Sequence, residues 1–264
     1  MNVFVFDIET VPDVEAGRAI YELHDLDDAE VAQAMFHLNR QKTGSEFLPH
    51  YLHQIVAISA VFRFRDSVKV WTLGDMDSDE KEVVQRFFDG IDKYAPTLVS
   101  WNGGGFDLPV LNYRALKYGI SAPQYWDTGE MDNSSRWNNY TSRYHARHTD
   151  VMDVMAMYTG RANAPLDHIA TMLGFPGKMG MSGGKVWDEF LAGNIRGIRD
   201  YCETDVLNTY LVYLRFELMR GRIDQTRYER ECELLKDILT TSGETHLQSF
   251  LQHWESGSAG KGTN

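Results

Sequence analysis

Apolar and polar residues alternate along the chain in blocks whose rhythm names most of the elements. Residues 2–7, NVFVFD, are an unbroken apolar run closed by an acid, as expected of a strand buried on both faces. A second apolar run fills residues 55–64, and Arg65, Asp66 and Ser67 make a turn into residues 68–73, so 55–73 reads as a hairpin. Residues 14–39 between these strands are helix-permissive and acidic until Gly44, Ser45 and Pro49 break the pattern, which marks residues 11–54 as an insertion. Ser78 opens an amphipathic helix with Val83, Val84, Phe87, Phe88 and Ile91 on one side and Asp79, Glu80 and Glu82 in its first turn.

After Pro96, residues 97–101 predict a short strand, followed by Asn102, three glycines and a helix over 106–118. A polar loop leads to an apolar stretch at 152–157, a short helix at 166–173 and a glycine-rich loop at 179–185. From Asn194, the residues Ile198, Cys202, Val206, Tyr210, Tyr213 and Leu214 keep helical spacing until Gly221. Residues 256–264 are small and polar and are expected to form a disordered tail. Without an internal repeat or linker, the order of elements predicts one α/β domain over residues 1–240 with a mixed central sheet flanked by helices.

Composition narrows the function. The 264 residues are 43% hydrophobic, enough to fill a core. Cys202 and Cys232 are too few for a disulfide framework or a structural zinc site. Only six residues precede Asp7, leaving no room for a signal peptide, and no stretch approaches a membrane span, so a cytoplasmic protein is expected. Lys and Arg total 26 against 38 Asp and Glu, a net charge of -12, which argues against simple charge-driven nucleic-acid binding. Carboxylates that hold divalent ions invert the local sign, so an acidic chain can still take a phosphate-containing substrate.

Three acidic clusters carry candidate chemistry. Asp7 and Glu9 in FDIET are two apart, so on a strand their side chains leave the same face. Asp107 ends WNGGGFD, where glycines let the backbone turn or approach a ligand closely. Tyr201 and Asp205 in YCETD stand at i, i+4 and share a helix face. Each cluster alone has an ordinary reading: a solvated strand end, a helix-start aspartate, a core tyrosine beside a solvated acid.

Together, in this order, FDIET, WNGGGFD and YCETD resemble the three motifs of the DEDD superfamily of 3′-5′ exonucleases, and the tyrosine makes the chain similar to the tyrosine-bearing branch. Within that branch it most resembles bacterial proteins related to the exonuclease domain of family B DNA polymerases, over residues 1–214, with no polymerase domain following. The resemblance implies a ribonuclease H-like exonuclease fold and two divalent ions, Mg²⁺ or Mn²⁺, held by Asp7, Glu9, Asp107 and Asp205, with Asp7 bridging. Glu9 and Asp205 would complete one ion and Asp107 would serve the other. Tyr201 would orient or help deprotonate the attacking water. The substrate implied is a single-stranded or frayed 3′ end of DNA, and the products nucleoside monophosphates. An RNA-processing exoribonuclease and a non-catalytic nucleic-acid-binding protein are the competing readings.

Subsidiary signals concern the substrate. Residues 133–148 lack acids and interleave Arg136, Arg143, Arg147, His145 and His148 with Trp137, Tyr140 and Tyr144, a pattern suited to a single strand and equally to a polar loop. Lys178 and Lys185 flank a flexible loop that could close over a phosphate. Ile8 and Thr10, which flank Glu9, and Trp101, Asn102 and Phe106, beside Asp107, are the expected seat of the terminal nucleotide. Asp150 and Asp153 are expected to be supporting rather than ligating.

Overall fold

A computed structural model describes residues 1–259. Its centre is a five-stranded sheet in the order β3-β2-β1-β4-β5, formed by β1 (Asn2–Pro12), β2 (His53–Phe64), β3 (Ser67–Thr72), β4 (Thr97–Ser100) and β5 (His148–Asp150). Strand β2 runs antiparallel to β1 and β3, while β4 and β5 are parallel to β1. This is the mixed sheet flanked by helices of the ribonuclease H-like class expected above.

The alternation of β1 divides the core into two layers. Val3 and Val5 face the long helix α9 (Ile195–Met219), where Val206, Leu207, Tyr210 and Leu214 follow helical spacing. Phe4, Phe6 and Ile8 face the opposite layer, packing with Phe87 of α3 (Glu80–Tyr94) and Leu108 and Leu111 of α4 (Asp107–Tyr118). Behind α9 lie α7 (Leu166–Leu173), α10 (Gln225–Thr241) and α11 (Thr245–Ala259).

The residues between β1 and β2 form α1 (Val14–Ile20), α2 (Asp28–Thr43) and a 3₁₀ turn (His50–Leu52) with a small core of their own, including Val31, Met35, Leu48 and Leu52. Asp13 caps α1 and pairs with the buried Arg114 of α4, which also binds Glu80 of α3. Glu80 in turn accepts the Ile55 N–H at 2.6 Å. One buried cation between two anions therefore roots the insertion on the helices that carry the site, an arrangement that is costly to break because a charge would be stranded.

Several elements escape the sequence pattern, among them β5, only three residues long, α8 (Val186–Leu191), which follows the glycine-rich loop, and α10 and α11 beyond Gly221. One expectation is corrected. Residues 256–259 continue α11 instead of forming a disordered tail, because Phe250 and Trp254 bury the helix in the main core and Gly257 passes the Gly174 carbonyl. Residues 260–264, the rest of that expected tail, lie outside the described residues.

Candidate active site

The chain passes from β1 leftward to β2 and β3 and then returns to the right of β1, so β1 and β4 flank the point where the strand order reverses. Crevices at such points, beyond the strand ends, are the common ligand sites of open α/β sheets. Here β4 pairs with β1 only at Val3, Phe4 and Val5, and β1 runs on to Pro12. The free edge of β1 past Val5 faces the start of α4, where the Ile8 backbone partly offsets the rise that burial gives the Asp107 carboxyl. The β1/β2 register shifts between Glu9 and Thr10, which leaves Val56 as an extra residue and bends the pair beside the candidate acids.

The turn that delivers Asp107 is built on an acid. Asp150 accepts from Asn102 N at 3.0 Å and from Gly104 N at 2.9 Å, and also caps α6 (Val151–Met155). Asn102 is left-handed at φ 66°, and a Cβ on Gly103 would lie 2.2 Å from Ser100 Oγ. Only glycine allows that approach. Asp107 then opens α4 as the acid of its first turn, where the helix dipole favours a negative charge.

Helix α9 crosses β1 and supplies Tyr201 and Asp205 one turn apart, with Cys202 pressed between the helix and the strand. Cys202 Sγ lies 3.5 Å from the Asp7 carbonyl and 3.7 Å from Asp7 Oδ2. Asp7, Glu9 and Cys202 offer ligand atoms within 4.8 Å of one another, a grouping able to hold a metal ion.

Electrostatics bind the four acids into one unit. Burial raises Asp7 well above the carboxylate range, and the charges of Asp107, Glu9 and Asp205 raise it further. Glu9 is raised likewise by burial, then by Asp205 and Asp107. Burial lifts Asp107 to about 7, and Asp205 to about 6 against the hydrogen bond from Tyr201. Like charges gathered out of water are unstable alone, and hard oxygen donors gathered this way suit a divalent cation. Burial and the neighbouring carboxylates push the Tyr201 phenol far above its usual range, so its proton stays in place at neutral pH.

Two cavities meet the acids. A 600 Å³ cleft is lined by Ile8, Glu9, Thr10, His53, Phe106, Trp187 and, from the insertion, Phe47. Phe106 sits at ring distances of 5.4 Å from Phe47 and 5.1 Å from His53, and His50 Nε2 meets the Gly105 carbonyl at 2.9 Å. His53 Nε2 faces the Leu48 carbonyl at 3.1 Å and so carries the proton, which makes Nδ1 the acceptor for the Thr10 hydroxyl at 2.8 Å. A second cavity of 190 Å³ is lined by Asp167, Lys178, Tyr201, Asp205 and Asn208.

The remaining candidates lie elsewhere. Trp101 donates to the Ala164 carbonyl at 3.0 Å and lines an apolar cavity with Met152 and Phe216, while Lys185 is exposed in a 3₁₀ turn (Gly183–Lys185). Asn102 is held in the glycine turn. Arg143 is paired with Asp153 at 2.6 Å, and Arg147 lies over the Tyr140 ring at 5.2 Å. Tyr140 bonds the Pro96 carbonyl, at the end of β4 away from Asp107. None of these residues lines either cavity at the acids. His145 accepts from Asn139 N and His148 bonds Ser100, so the two histidines serve different parts of the loop.

Sequence reading passed over Phe47, His53, Asp167, Trp187 and Asn208, whose places in the two cavities depend on contacts between distant segments. No curated protein sequence matches the chain. Among solved structures it is similar to the family B DNA polymerase from the hyperthermophilic archaeon Pyrobaculum calidifontis, at 18% identity and a TM-score of 0.47. That match covers 83% of this chain and 24% of the polymerase, so the chain spans about a quarter of its relative's length. A family profile matches residues 45–254, a span that contains Asp107, Tyr201 and Asp205 and begins after Asp7 and Glu9. By that match, the chain belongs to the family of predicted 3′-5′ exonucleases related to the exonuclease domain of PolB.

Proposed function

We propose that this chain removes nucleoside monophosphates from single-stranded or frayed 3′ ends of DNA, as a tyrosine-bearing DEDD exonuclease of the bacterial group, acting in the cytoplasm. The observation that carries the reading is the convergence of Asp7, Glu9, Asp107 and Asp205, all raised in pKa by burial, beside an open cleft. These four would hold two divalent ions, Mg²⁺ or Mn²⁺, with Asp7 shared between them, Glu9 and Asp205 completing one and Asp107 serving the other. When bound, such ions supply an activated water and offset the charge on the leaving oxygen.

The chain's own groups do the rest. Tyr201, one turn before Asp205 on α9 and lining the same cavity, would orient or help deprotonate the attacking water. Ile8, Thr10 and Phe106 line the cleft beside Glu9 and would seat the terminal nucleotide. With its proton committed to His53, the Thr10 hydroxyl presents lone pairs to a donor such as a sugar hydroxyl. Lys178 stands by Asp205 as a cation for the substrate phosphate.

The test uses matched 5′-labelled DNA and RNA strands with purified protein and Mg²⁺ or Mn²⁺. A ladder shortening from the 3′ end of DNA is expected, abolished by chelator. Shortening of RNA alone would move the protein to the exoribonucleases, and binding without cleavage would make it a nucleic-acid-binding protein.

A further inference from the structure

The root of the glycine-rich loop is gripped from two helices at Gly177 and Lys178. Asn208, on α9 and 1% exposed, accepts from Gly177 N at 3.1 Å through Oδ1 and donates from Nδ2 to the Gly177 carbonyl at 2.8 Å. Its second amide hydrogen goes to the Thr204 carbonyl at 3.1 Å. From α7, Asp167 Oδ1 accepts the Lys178 N–H at 2.6 Å. Gly177 is left-handed at φ +65°, and a Cβ there would lie 2.6 Å from both Asp167 Oδ1 and Thr171 Oγ1. Among neutral side chains of this size only an amide offers the acceptor and the donors that this site uses.

A buried asparagine of this kind satisfies loop backbone wherever it occurs, so its location decides its meaning. Asn208 stands three residues beyond Asp205 on the same helix, and both line the 190 Å³ cavity with Lys178 and Tyr201. The grip ends at Lys178, the loop's nearest cation to the acids, whose charge opposes the raised pKa of both Glu9 and Asp205. We propose that Asn208 is a positioning residue: by holding both polar groups of Gly177 it fixes Lys178 beside Asp205, where the ammonium meets a phosphate of the bound strand. The inference rests on the exonuclease reading for the identity of the ligand, and on the geometry of α9 for the clamp.

The experiment compares wild type, Lys178→Ala, Asn208→Leu and the double variant in two measurements. The first is binding of a short 5′-labelled single-stranded DNA in chelator across a KCl series. The second is single-turnover cleavage of the same strand with Mn²⁺, with a melting curve for each protein. Lys178→Ala is expected to flatten the salt slope by about 0.7, the value for one phosphate contact on a single strand. Asn208→Leu should flatten it similarly, and the double variant no further. Cleavage should fall about tenfold in each single variant, as for a misplaced substrate contact, and the double should be no slower than Lys178→Ala. Gly177→Ala displaces the same peptide without touching α9 and should repeat the slope change, which keeps the test open if Asn208→Leu does not fold. A wild-type slope in Asn208→Leu or Lys178→Ala, or effects that multiply in the double variant, would overturn the clamp. A wild type that binds but never cleaves would instead overturn the exonuclease reading, leaving the salt slopes to decide the clamp.

Discussion

Asp7 stands where the charges of Asp107, Glu9 and Asp205 all act, and its far side touches the Cys202 thiol. Asp7→Asn keeps the shape and removes the charge, so it should be the most damaging single change, lowering turnover about a thousandfold if several kcal/mol of charge stabilisation are lost. The same variant should melt no lower than wild type in chelator, because one repulsive charge has gone. Full activity in single-turnover assays would remove Asp7 from the centre. Tyr201→Phe asks a narrower question: turnover should drop about tenfold or more, with stability changed by about 1 kcal/mol for the lost hydrogen bond. Matched rates for wild type and variant would leave the carboxylates to act without it. Spacing alone made Asp7, Glu9, Tyr201 and Asp205 legible, since periods of two and four put each pair on one face. Asp167 and Asn208 were not legible as parts of the site, because Asn208 is defined by a backbone it meets 31 residues away and Asp167 by one across a turn whose path the sequence leaves open.

Among elements up to α9, the long ones follow their pattern and the short ones do not, while α10 and α11 were not legible. The hairpin and α9 repeat their period several times, whereas β5 has three residues and takes its place from pairing with β4. Helix α11 shows how tertiary burial overrides a polar ending, and its docking carries a pH dependence. His246 at its start meets Glu203 of α9 at 2.8 Å and Asp200 at 3.4 Å, and Glu203 in turn accepts from Thr72 of β3. Burial opposes the charged ring, yet Glu203 and Asp200 raise its pKa overall. Burial likewise opposes the charge on Glu203, but hydrogen bonds from His246 and Thr72 lower its pKa overall. The histidine's contribution is complete below about pH 6.5 and is lost as pH rises through its raised value; the glutamate's is complete above about pH 4.5 and is lost on acidification. The melting temperature of wild type relative to His246→Gln should therefore be greatest between those limits and shrink on either side. A difference that stays constant from acid to alkali would show that the ion pair does not hold α11.

Across the whole molecule, a net charge of -12 sets the problem that the site must solve, since a strand of phosphates has to approach an acidic protein. Among the described residues, no helix is long and apolar enough to cross a membrane, and β1, the insertion, α7 and α9 converge on the two cavities at the acids. That convergence has a thermodynamic consequence. In metal-free protein the four carboxyls hold protons more tightly when folded than when unfolded, so their stabilising effect is complete near pH 4 and fades as pH rises. Asp205 loses its proton near 6 and Asp107 near 7, each leaving a buried charge among others. With chelator, the melting temperature should fall between about pH 5 and pH 8. Divalent ions bind only the folded arrangement and displace those protons, so at about a hundredfold excess over their dissociation constant they should raise the melting temperature by about 5–10 °C at pH 8. The gain should be far smaller at pH 5, where protons already occupy the acids and compete with the metal. Equal gains at both pH values would mean that the ions stabilise some other part of the molecule, and that the crowding of Asp7, Glu9, Asp107 and Asp205 is relieved without them.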